Sequence, residues 1–175
     1  MDLTSAELTV LGLVAEQPRH GYDLEHVIEQ RGIRQWTDIG FSSIYYILTK
    51  LERRGLIDVD PAAPASAKAR RVFRVTGEGR RLAAAQTLAV IADPRPVPHP
   101  ALVGIANLPL VAAADYTDAL RHRLAGIEAR IAAVLEAERA QSPLPPAARE
   151  VFSFSRALLE AERSWLADRT GGSDD

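Results

Sequence analysis

Cationic side chains crowd one short stretch of this chain. Between Ala67 and Arg81 stand Lys68, Arg70, Arg71, Arg74, Arg80 and Arg81, with Glu78 as the only acid, a local charge of +5. A single-sign cluster of this density suits electrostatic contact with an anionic polymer. The plain alternative is a solubilising loop rim.

A second stretch, FSSIYYILTKLERRGLI at 41–57, combines hydroxyls, aromatics and cations. At 100° per residue Ile44, Leu48 and Leu51 share one helical arc, flanked on opposite sides by Ile47 and Tyr45. Tyr45 is therefore expected half buried, its ring on the core margin and its hydroxyl outward. Tyr46 lies across the helix from that arc, with Ser42, Thr49, Lys50 and Arg53. Such a face suits phosphate oxygens and base edges of a major groove, and it also suits plain water.

Other chemistries find little support. His20, His26, His99 and His122 are scattered without metal-ligand spacing. The two glycines of TGEG lack the rest of a phosphate loop and read as a strand-to-helix turn. No nucleophile elbow is present, and the absence of Cys closes the thiol routes. Glu160 and Glu162 fall on different helix faces and read as solvated surface. Neither an enzyme nor a cofactor is expected.

The elements that must position these groups follow from pattern. In 175 residues, 47% hydrophobic and 25% charged with a net charge of −2, the composition is that of a soluble globular protein. No apolar run is long enough to span a bilayer. The acidic N-terminus lacks the basic region of a signal peptide, so a cytoplasmic location is expected. Residues 1–92 carry twelve basic and eleven acidic side chains, and residues 93–175 nine and twelve. The basic excess is local to the hairpin.

Thr4 or Ser5 caps a first helix, and Glu7 stands three after Thr4 in a capping-box pattern. A turn at Pro18–Gly21 leads to a second helix stopped by Gly32, and the stretch at 41–57 makes the third, stopped by Gly55. LIDVD and RRVFRVT alternate at period two around a Pro/Ala/Ser loop, and Thr76 caps a fourth helix. Helix, helix, helix, strand, loop, strand is the order of a winged helix-turn-helix. The predicted fold is thus mainly α with a small β-hairpin wing (α+β), completed by a C-terminal helical region.

Residues 1–92 form the predicted winged domain and 93–114 a proline-rich and apolar connection, its ALVGIANLPLV run expected to pack. Residues 115–170 form the helical dimerisation region and 171–175 a disordered tail. Leu120, Leu124, Ile127, Ile131 and Val134 repeat at heptad-like spacing, as do Val151, Phe154, Leu158, Ala161 and Trp165. These seams can close on each other within one chain or pair across a two-fold axis. Leu120, Leu124, Ile127, Ile131, Phe154, Leu158 and Trp165 are the candidate dimerisation residues. Trp36, placed to pack under the third helix, and Phe152 are the weaker candidates for meeting a small apolar or aromatic effector.

The sequence resembles the PadR family of bacterial transcriptional regulators. LTVLGLVAEQPRHGYDLEHVIEQ, SSIYYILTKLERRGLI and RRVFRVTGEGRRLA carry the resemblance, in the right order and spacing over about ninety residues. The resemblance places Tyr45 on the family's recognition-helix tyrosine, beside Ser43, and Tyr46 on a variable site suited to sequence preference. Tyr22 falls on the aromatic of the GY turn, with either a packing role or a phosphate hydrogen bond. It implies a homodimeric winged-helix repressor that binds a pseudo-palindromic double-stranded DNA operator and releases it on meeting an effector. The expected DNA contacts are Tyr22, Ser42, Ser43, Tyr45, Tyr46, Thr49, Lys50, Arg53, Lys68, Arg70 and Arg71. The competing reading is a winged-helix protein–protein module whose basic hairpin meets an acidic partner.

Overall fold

The computed structural model describes residues 2–40, 43–61 and 71–171. The chain forms two compact units, Met1–Arg95 and Pro96–Asp175, divided within the proline-rich run. Of the expected tail at 171–175, Gly171 caps the last helix and residues 172–175 lie outside the described residues.

In the first unit α1 (Ser5–Glu16) starts at a complete capping box. Thr4 Oγ1 accepts the Glu7 amide at 3.2 Å, and Glu7 Oε2 accepts the Thr4 amide at 3.0 Å. Then come β1 (Arg19–His20), α2 (Gly21–Gln30), a 3-10 turn (Ile33–Gln35) and α3 (Ser43–Arg53). The wing strands β2 (Ile57–Val59) and β3 (Val72–Val75) and α4 (Gly77–Ala92) follow. The sheet is antiparallel in the order β1-β3-β2, with Arg19 opposite Phe73 and Ile57 opposite Val75. Arg19–His20, expected to be part of a turn, is thus a third strand. Two residues are too few to show a period.

The core of this unit gathers Val10, Leu11, Val14, Leu24, Ile28, Ile44, Leu48, Leu51 and Ile57, all nearly inaccessible. Each such side chain contributes roughly 1.5–3 kcal/mol by leaving water. Gly55, at φ +69°, closes α3 in the left-handed conformation that favours glycine. The Leu56 amide donates to the Leu51 carbonyl and the Gly55 amide to that of Glu52, completing a Schellman motif. Thr76 Oγ1 accepts the Gly79 amide at 3.0 Å and donates to the Gly55 carbonyl at 2.8 Å. A Cβ on Gly79 would stand 2.0 Å from the Leu56 carbonyl oxygen, so TGEG is a packing device between wing and helix.

The second unit contains α5 (Pro100–Ala106), a 3-10 turn (Leu108–Leu110), α6 (Ala113–Ala140) and α7 (Pro146–Thr170). The run 101–111 was expected to pack, yet Leu102, Val103, Leu110 and Val111 are exposed. Leu120, Ile127 and Ile131 of α6 are buried, with Leu124 and Val134 packed beside them, and they meet Leu159 and Leu166 of α7. The stripe of α7 that closes this seam is therefore shifted by one residue from the expected one. Trp165 packs at its edge, whereas Val151, Phe154 and Leu158 remain exposed. Two neighbouring apolar stripes share α7, and period alone does not say which faces α6. Glu162, expected to be solvated, accepts from Arg123 Nε at 2.6 Å and links the two helices.

Candidate nucleic-acid interface

α3 shows how the candidate surface is built. Its buried arc of Ile44, Ile47, Leu48 and Leu51 fixes the helix on the core. Tyr46, Thr49 and Arg53 are exposed on the far side, Tyr46 at 70%. Thr49 Oγ1 donates to the Tyr45 carbonyl at 2.9 Å. Ser43 Oγ donates to the Gly40 carbonyl at 2.6 Å and pins the approach to the helix. Ser42 lies outside the described residues.

The Tyr45 ring lies across Gly21, the first residue of α2. A Cβ there would stand 2.6 Å from Tyr45 Cε1 and 3.0 Å from Cζ. The ring is thus both 59% exposed and held in place. Tyr22, also exposed, is the next residue of α2.

Lys50 differs from the outward role expected of it. Its ammonium forms an ion pair with Glu7 of α1. The physical reason is phase: Lys50 lies on the flank of α3 turned to α1, where Arg54 follows one turn later. Arg54 Nη1 stands 3.7 Å from Glu7 Oε2. Burial pushes the Glu7 carboxyl up. The Lys50 and Thr4 hydrogen bonds and the Lys50 and Arg54 charges outweigh burial, so its pKa falls below the usual 4.5.

The wing also departs from a uniform basic face. Arg71 pairs with Glu52 of α3 and stacks over the Phe73 ring at 5.0 Å. Its charge is therefore largely matched within the fold, although the side chain stays half exposed. Arg80 Nη2 donates to the Ala15 carbonyl at 3.3 Å. Arg74 and Arg81 are exposed, and Lys68 and Arg70 lie outside the described residues.

Residues that sequence reasoning passed over hold the helix-turn-helix together. Arg34 donates through Nε to the Ile39 carbonyl at 3.0 Å, and through its two other nitrogens to Glu29 at 2.7 Å and Glu25 at 2.6 Å. It thereby ties α2 to the segment entering α3. The Glu25 hydrogen bond leads the causes that raise the Arg34 pKa further. Glu16 receives Arg31 at 2.8 Å and Arg19 at 3.3 Å, joining α1, β1 and the end of α2. Trp36 was expected beneath α3 but is 52% exposed, and Ile33 and Ile39 fill the core there instead. Phe152 is partly buried on α7. Glu7, by contrast, was signalled by its place in the capping box.

Among the described residues no group of three or more His, Asp or Glu could hold a metal ion. Among the same residues no helix is long and apolar enough to cross a membrane.

A three-helix core with a third helix presented beside a two-stranded wing defines a winged helix-turn-helix. Residues 10–85 match the Transcriptional regulator PadR-like family. Over those residues the chain is similar to a family of transcriptional regulators. No curated protein matches the sequence. Among solved structures, Bacillus subtilis PadR in complex with operator DNA is similar with 17% identity and a TM-score of 0.76, over 94% of this chain and 97% of that one. The same protein in complex with p-coumaric acid gives 17% and 0.78, over 97% and 98%. The Vibrio cholerae virulence activator AphA gives 16% and 0.67, over 95% and 96%. At such identities the likeness concerns the fold.

Proposed function

We propose that this regulator acts as a cytoplasmic homodimer that reads a pseudo-palindromic operator, represses transcription there, and is released by a small apolar or aromatic effector. The observation that carries the DNA reading is the exposed face of α3. Tyr46, Thr49 and Arg53 stand outward on a helix packed against α1, α2 and β2, and Arg74 of the wing is exposed as well. Two such helices, about one turn of DNA apart (roughly 34–36 Å), would enter successive major grooves. The solved complexes of Bacillus subtilis PadR with operator DNA and with p-coumaric acid support the operator and the effector by analogy of fold.

The exposed Val151, Phe154 and Leu158 on α7 support pairing of two chains, because an apolar stripe of this kind seeks a partner surface. The half-exposed Trp36 ring and the partly buried Phe152 are the aromatic groups assigned to the effector. The test is selection of fragments from the source genome by the purified chain, followed by salt-titrated binding of Tyr46→Ala. A loss of about 1–3 kcal/mol in specific binding, with background binding intact, is expected. Binding that shows no sequence-specific component would instead favour a protein–protein module.

A further inference from the structure

Resting on the DNA-binding reading above, we propose that Glu7, Lys50 and Arg54 form an internal clasp that sets the position of the recognition helix α3. In it Lys50 and Arg54 are positioning residues and not phosphate contacts. Glu7 is only 3% exposed, and a carboxylate withdrawn from water needs compensating charge nearby. Both compensating groups come from the end of α3, Lys50 in its last turn and Arg54 just past it, four residues apart on the flank that faces α1. The carboxylate is itself held, because Oε2 accepts the Thr4 amide at 3.0 Å and closes the capping box. The first turn of α1 thus serves as a socket for α3. Sliding or rolling α3 would draw both cations away from the same buried group. Of the three cations in the last turn of α3 and the residue that follows it, the clasp takes Lys50 and Arg54 and leaves Arg53 on the exposed face.

The test is a cycle of Glu7→Gln, Lys50→Met and the double variant, with Lys50→Arg as the conservative change and Arg53→Met to calibrate a phosphate contact. The full chain is titrated, at several salt concentrations, with a duplex that the wild-type chain recovers from sheared genomic DNA of its source. Lys50→Met is expected to weaken binding roughly tenfold, with Glu7→Gln similar and the double variant within about threefold of either single. The salt slope should stay unchanged in Lys50→Met, fall by about 1 in Arg53→Met, and Lys50→Arg should restore affinity. A slope that falls by about 1 in Lys50→Met, or a double variant equal to the product of the singles, would overturn the clasp. Melting of the DNA-free chain follows the same cycle. If the wild-type chain recovers no duplex, the DNA reading fails, and additive melting shifts still overturn the clasp while non-additive shifts uphold it.

Discussion

The two units spend their apolar side chains differently. Among the described residues fifteen buried hydrophobics converge in one cluster in the first unit, whereas five form the seam between α6 and α7 in the second. What the first unit leaves outside on α2 and α3 is aromatic with polar tips, Tyr22, Tyr45 and Tyr46, and its bare hydrocarbon is most exposed at the end of α4, at Leu88, Val90 and Ile91. The second leaves bare hydrocarbon outside: Leu102, Val103, Leu110, Val151, Phe154 and Leu158. A unit with a closed core can present its surface to water and to a polyanion. A pair of long helices with a thin seam and a spare apolar stripe is unfinished until something covers it. The difference supports the proposed recognition by the first unit and the proposed assembly through the second.

The sharpest way to break that comparison is to hollow the closed core. Leu51 is fully buried, and Leu51→Ala is expected to destabilise the first unit by about 2–5 kcal/mol, read by denaturant unfolding. A smaller effect, about 1–3 kcal/mol by the same measurement, is expected of Gly79→Ala, which forces the wing and α4 apart at the Leu56 carbonyl. On the other side, Phe154→Ser with Leu158→Ser should leave the melting of a DNA-free monomer within about ±0.5 kcal/mol, because both side chains are exposed. The same pair should shift sedimentation from dimer to monomer. An unchanged dimer would move assembly to another face. Next in size, Thr4→Ala removes the acceptor of the capping box and is expected to lower stability by about 1 kcal/mol.

Much of this was legible in the chain. The capping box announced itself by spacing, Gly55 by its position after the last apolar residue, and the wing by period two. The buried arc of α3 followed from phase alone. What escaped depends on groups far apart in sequence. Lys50 lies at the margin between the two faces of α3, and its pairing toward α1 is decided by Glu7, forty-three residues earlier. Arg34 looked like one cation among many until Glu25, Glu29 and the Ile39 carbonyl converged on it. On α7 two apolar stripes one residue apart satisfy the same heptad, and only the packing of Leu159 and Leu166 against α6 separates them. The face of a helix could be read locally. Its partner could not.

The smallest effect expected is also the most selective for the first unit, and it appears only in acid. The Glu7 carboxyl is held below its ordinary value of 4.5 in the folded chain, because the hydrogen bonds and charges of Lys50, Thr4 and Arg54 outweigh its burial. A group with a depressed folded pKa contributes stability that is complete above its unfolded value and is lost as pH falls through the folded value. Wild type should therefore hold its full advantage over Glu7→Gln near pH 7 and lose it progressively below about 4.5. Glu16, depressed chiefly by its hydrogen bond to Arg31, adds to the acid sensitivity of both proteins alike and cancels in the difference. Paired melting curves between about pH 7 and pH 3 measure that difference. A gap that stays constant with pH would mean that Glu7 acts through its shape and not through its charge.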